Sequence, residues 1–167
     1  MRLTVLTTLT VIYLAGLLAA LPLICPSDAD RAALAAKERD CLAKAVYFEA
    51  RGEPYMGQLA VALVIANRMQ DRRYPDSACG VVYQNATRRN ACQFSFACDG
   101  RSDTPRDPAS WARAQGVADM VLSRTLRDLT DAATHYHADY VAPRWASHLQ
   151  RTQTIGRHVF YRTNQKT

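Results

Sequence analysis

No charged residue falls between Leu3 and Ile24, and a single arginine, Arg2, precedes them. An uncharged run of 22 residues has no place on the surface of a soluble domain and reads as a secretory signal or an amino-terminal membrane anchor. Ser27, Asp28 and Ala29 offer small residues to a signal peptidase, whereas Ile24 is too bulky for the pattern that attaches lipid to Cys25. Residues 1–29 are thus expected to be a signal peptide or membrane anchor, and residues 30–167 a single folded domain. Export to the periplasm or cell envelope follows, with the inner membrane as a partner if the segment is retained.

Other absences narrow the class further. There is no internal repeat and no low-complexity segment, which excludes a solenoid. Without residues 1–29 the chain has 20 basic and 14 acidic side chains and keeps its net charge of +6. No aromatic-rich basic motif accompanies that charge, so nucleic acid is not expected as a partner, and the acidic cell envelope or anionic lipid fits better. No close CxxC pair is present, which argues against a structural zinc site. Neither a metal nor another cofactor is expected, and the domain is expected to be a monomer.

What is present begins with five cysteines, a number that suits an oxidising compartment. Cys41, Cys79, Cys92 and Cys98 fall in the folded part and suffice for two disulfides. Three pairings are conceivable, and Cys92 and Cys98 are near enough in sequence to close a small loop. Cys25 is left over.

From Asp30 to Ala50 there is no proline or glycine, and alanine, leucine and charge predict a helix. Leu42, Ala45, Val46 and Glu49 share one face of it, so Glu49 lies on the apolar stripe. Gly52 is placed to end this helix in a left-handed conformation, and Pro54 to open the next. That second helix, Pro54 to Met69, is apolar almost all round and should be the central one. A broken stretch from Tyr74 to Pro108 leaves room for a short helix near Val81 to Gln84, and a connection of that length is usually functional. Asp107 and Pro108 start another helix with Trp111, Ala114, Ala118, Val121, Leu122 and Thr125 in one stripe. Beyond Asp131, "ATHYHADYV" and "IGRHVFYR" predict a small antiparallel hairpin. The fold class is α+β, mainly helical.

Two carboxylates, Glu49 and Glu53, flank the corner between the first two helices. A carboxyl on an apolar helical face loses water and resists ionising, which suits a proton donor near neutral pH. Glycosidic bonds need such an acid, because the sugar alkoxide is a poor leaving group. Glu53 is either a second catalytic carboxylate or a structural group that caps the next helix and pairs with Arg51. The structural alternative for Glu49 is a buried ion pair with an arginine such as Arg68.

"AVYFEARGEPYMGQLAVALVIANR", "YPDSACGVVYQ", "QFSF", "ATHYHAD" with Trp145, and "GRHVFYR" together resemble the SleB-like cell wall hydrolases, over about Cys41 to Arg162. The resemblance implies a compact lysozyme-like domain that acts on the glycan strands of peptidoglycan. It implies Glu49 as general acid and base, cutting between N-acetylmuramic acid and N-acetylglucosamine. A lytic transglycosylase needs that carboxyl alone, whereas a muramidase, in which water attacks, makes more use of Glu53. Substrate contacts are expected from Gln93, Phe94, Ser95, Tyr136, His137 and Trp145. The four cysteines of the folded part depart from the spore enzymes.

Three other readings stand beside it. His135 and His137, two apart on a strand with His158 downstream, suggest a zinc amidase, although no carboxylate or HExxH pattern accompanies them. A non-catalytic envelope protein that binds glycan or another hydrolase would carry an exposed, unperturbed Glu49. A releasable anchor with Cys25 as an exchanging thiol, as in signal-arrest-release endolysins, would add control.

Overall fold

The computed structural model describes residues 26–88 and 91–164. The expected signal or anchor and Cys25 lie outside the described residues. The described residues fall into two units, one up to Ala32 and the other from Ala33 onward. In the first, Ser27 Oγ accepts the Asp30 backbone N–H at 3.1 Å, and the Asp30 carboxylate accepts the Ser27 backbone N–H at 3.1 Å, a reciprocal cap on a helix start. Among the described residues no helix is long and apolar enough to cross a membrane.

Helix α1 spans Asp28–Ala50 and α2 Tyr55–Gln70, in agreement with the patterning. The intervening corner forms differently from expectation. Gly52 does not take a positive φ, and the chain turns through an Ala50 carbonyl that accepts the Glu53 N–H at 2.9 Å. Helix α2 is the centre of the domain, with every residue from Gly57 to Ile65 buried. Its nearly uniform apolarity leaves no face that gains from water, so neighbours cover it all round. Leu42, Val46, Leu59 and Ile65 meet Val81 and Val117 in the main core, and each such burial is worth about 1.5–3 kcal/mol.

The short helix α3 covers Ala78–Val82, where Ser77 accepts the Gly80 N–H, and a 3-10 turn follows at Ser95–Cys98. Helix α4, Pro108–Leu122, starts where expected, with Asp107 accepting the Ser110 N–H at 2.7 Å. Its buried residues are Ala114, Val117, Ala118 and Val121, while Trp111 is only partly covered.

The carboxyl-terminal sheet is larger than the expected hairpin. It has three antiparallel strands, β1 His135–Ala138, β2 Gln150–Ile155 and β3 His158–Arg162, in the order β1-β3-β2. Both expected strand segments exist as β1 and β3, but β2 makes the tight turn with β3. One face of the sheet, through Phe160 with Tyr136 and Ile155, packs on Ala60 and Val64 of α2. The disulfides are Cys41–Cys79 and Cys92–Cys98, with Cα separations of 5.1 and 6.2 Å. The first ties α1 to α3, and the second closes the loop that carries "QFSFA".

Candidate active site

Glu49 ends the apolar stripe of α1, one turn beyond the fully buried Ala45 and Val46. The helix therefore delivers a carboxyl to the edge of the core, where it is half-buried. Loss of water raises its pKa from the ordinary glutamate value, and the nearby Tyr136 hydroxyl opposes that rise. The Tyr136 phenol is itself held well above its usual range, first by burial and then by the charge of Glu49. Among the described residues Glu49 forms no ion pair, so the expected alternative of a glutamate held by Arg68 is not what is found.

Arg68 is occupied elsewhere. Only 4% exposed, it donates from Nε to the Thr134 carbonyl at 2.7 Å and lies over the Tyr74 and Phe94 rings at 5.3 and 5.6 Å. Its neighbour Asn67 donates to the Asp128 carboxylate at 3.1 Å and to the Ala133 carbonyl at 3.0 Å. Asp128 in turn accepts the backbone N–H groups of Thr130 and Ala132. These bonds hold residues 128–134 against α2, including Asp131 and Ala132 in left-handed conformations at φ 55° and 58°. The segment so fixed leads directly into β1 and brings Tyr136 to Glu49. The "NR" that ends the α2 motif is thus the anchor of a strand.

A cavity of about 370 Å³ opens at Glu49. Gln93, Phe94 and Ser95 border it from the disulfide loop, and Tyr136 and His137 from β1. Five of the six expected substrate contacts therefore meet at the expected acid. Tyr136 and His137, successive residues of the edge strand β1, both border the cavity. Trp145 does not border it; its ring packs 5.6 Å from both His135 and His137 and 5.5 Å from Tyr161.

Glu53 also lies outside the cavity lining. Its carboxylate accepts the Arg157 backbone N–H at 2.8 Å, and its carbonyl accepts from the Gln58 amide at 3.0 Å. The expected pair with Arg51 and the cap on α2 are absent: Pro54 holds the cap position, and no side chain bonds there. Glu53 joins the helical corner to the β2–β3 turn.

Sequence reasoning missed Tyr140 and Val141, which line the cavity from the turn after β1, and the bordering role of His158. Tyr140 is 75% exposed, with the Arg157 guanidinium 5.3 Å from its ring centre. A solvent-facing tyrosine within "HADYV" was the available signal. Burial lowers the pKa of His158, so its imidazole is neutral near pH 7.

The three histidines do not form a ligand set. His137 Nε2 lies 2.9 Å from the Tyr161 hydroxyl, and His135 Nδ1 3.0 Å from Thr134 Oγ1. Among the described residues no three histidine, cysteine or carboxylate side chains converge as metal ligands. Burial and the Arg68 charge push His135 down to about 4.

Spore cortex-lytic enzymes are among the known proteins similar to this chain. The chain is 36% identical over 121 residues to a spore cortex-lytic enzyme of Halalkalibacterium halodurans and 33% identical over 119 residues to that of Bacillus subtilis, 71% of this chain in each case. It spans only 33% and 35% of the length of those relatives. The catalytic domain of the Bacillus cereus SleB protein superposes with a TM-score of 0.58 at 28% identity, covering 76% of this chain and 91% of that domain. The catalytic domain of the germination-specific lytic transglycosylase SleB from Bacillus anthracis does so at 0.59 and 29%, covering 75% and 93%. The cell wall hydrolase pattern itself matches residues 52–161, from the glycine three residues after Glu49 to the penultimate residue of β3. That match takes in the whole central helix and all of the sheet but its last residue, and the chain belongs to the cell wall hydrolase family.

Proposed function

We propose that the protein is an exported lytic transglycosylase of peptidoglycan in which Glu49 acts alone, first as acid and then as base. The observation that carries this reading is a half-buried carboxyl with a raised pKa that is, among the described residues, the sole carboxylate bordering its cavity. A pathway in which a second carboxylate activates water asks for a partner across the cleft. Glu53, the nearest in sequence, is engaged by the Arg157 backbone.

The steps balance with one group. Protonated Glu49 gives its proton to the oxygen leaving C1 of N-acetylmuramic acid, and the bond to that oxygen breaks. The resulting carboxylate is favoured by the Tyr136 hydroxyl, which faces it. It takes the proton of the sugar's own 6-hydroxyl as that oxygen closes on C1. The product is a 1,6-anhydro sugar, Glu49 is protonated again, and no water is consumed. A neutral His158 and the Gln93 amide offer hydrogen bonds to the sugar without competing for the proton.

Mass spectrometry of digested peptidoglycan tests the reading. Anhydro-muropeptides are expected. Reducing muramic acid ends would mean attack by water, and free stem peptides would mean an amidase.

A further inference from the structure

Beside the Glu49 cavity lies a second cleft of about 300 Å³ that the bond-breaking steps do not use. Tyr47, Phe48 and Phe96 line it with aromatic rings, and Arg51, Arg101 and Arg106 line it with guanidinium groups. The two are linked along the chain: Phe48 precedes Glu49 on α1, and Phe96 follows Ser95 in the 3-10 turn. The two phenylalanine rings stack at 4.8 Å.

The charges of this cleft are unevenly satisfied. Asp99 accepts the Arg101 backbone N–H at 2.8 Å, and Asp103 accepts the Tyr83 hydroxyl at 3.3 Å. Among the described residues no carboxylate lies within ion-pair distance of Arg51, Arg101 or Arg106. Arg51 leans over the Tyr47 ring, 5.3 Å from its centre, while Arg101 and Arg106 are exposed. The rim is also fixed in place, because the Tyr47 hydroxyl accepts the backbone N–H groups of Arg106 and Asp107 at 3.1 and 3.0 Å. A ligand here meets preformed cations over an aromatic floor.

The glycan strand offers those cations nothing, because its sugars are neutral once the lactyl group is amidated. The peptide on that lactyl group is different: it leaves the very sugar whose bond is broken and carries free carboxylates. An extended peptide reaches about 3.5 Å per residue, so a stem of a few residues passes from the cavity into the adjoining cleft. Guanidinium forks match carboxylates in two-point contacts. We infer that this cleft is a binding site for the peptide stem of the muramic acid under attack, its carboxylates meeting Arg101 and Arg106. The inference rests on the glycan-cleaving reading of Glu49.

The test compares intact glycan strands with the same strands stripped of peptide by an amidase and then amidated at the freed lactyl carboxylates, using wild type and the double variant Arg101→Gln, Arg106→Gln. Wild type should cleave peptide-bearing strands with a kcat/KM about tenfold higher, the scale of two exposed ion pairs. The double variant should lose that advantage while matching wild type on bare strands, which also reports that it is folded. Equal wild-type rates on both substrates, or a variant slowed equally on both, overturn the stem site alone. No cleavage of either substrate by wild type overturns the stem site together with the reading of Glu49.

Discussion

In the proposed reaction Glu49 serves as an acid only while it holds its proton, and its burial has a cost that appears in stability. Its folded pKa is raised, so the native state binds the proton more tightly than the unfolded chain does. The stability this contributes is full below the unfolded value of about 4.3 and is lost as pH rises through the folded pKa. Glu49→Gln removes the charge without changing shape. Activity should fall by about 10²–10⁴-fold, the usual contribution of a general acid. Melting temperature should rise at neutral pH but not near pH 4, which calorimetry at both values would read. A variant that keeps full wall clearing would end the catalytic assignment. Tyr136→Phe supplies the complementary case. The hydroxyl favours the ionised carboxylate, so its loss moves the Glu49 pKa further up. The basic limb of the pH–rate profile should then shift to higher pH while kcat falls. A limb that stays in place would mean that the phenol does not act on Glu49.

At the scale of elements, the corner and the sheet depend on one contact. Gly156 sits in the β2–β3 turn at φ 58°, and a Cβ there would stand 2.1 Å from the Glu53 carboxylate. Gly156→Ala should destabilise by at least about 2 kcal/mol, because a left-handed alanine and a carboxylate clash act together. Glu53→Ala should cost about 1 kcal/mol through the lost bond to Arg157 and leave most activity in place. In the double variant the clash is gone, so the two losses should sum to more than the loss measured together, by chemical denaturation. The helices were legible in the sequence because their apolar spacing is local: α1, α2 and α4 begin and end within a few residues of expectation. The task of Glu53 was not legible, because its partner lies 104 residues away and no periodicity reports a contact of that range. Strand β2 was missed for another reason. "QRTQTI" is exposed along most of its length and lacks the apolar alternation that marks a half-buried strand. The cavity was legible only in part. Gln93, Phe94, Ser95, Tyr136 and His137 were found through motif resemblance, while the anchoring of β1 by Asn67 and Arg68 needed three-dimensional contacts.

Across the whole molecule the two disulfides divide stability from site geometry. Cys41–Cys79 links residues 38 apart and joins α3 to the helix that carries Glu49. Cys92–Cys98 links residues 6 apart and encloses Gln93, Phe94 and Ser95. Chain entropy alone assigns the longer closure about 4 kcal/mol and the shorter about 2 kcal/mol. Removing the long staple as Cys41→Ser, Cys79→Ser should therefore lower the melting temperature by roughly 12 °C, at about 3 °C per kcal/mol for a domain of this size. Below that transition the cavity wall is intact, so wall digestion should persist. The variant Cys92→Ser, Cys98→Ser should melt only about half as much lower. Its digestion rate should nevertheless fall further, because the freed loop no longer holds three cavity residues in register with Glu49. Thermal denaturation and peptidoglycan digestion measured on both variants would check the division. If the short closure proved the larger contributor to melting and the lesser to rate, the loop could not be what shapes the cavity.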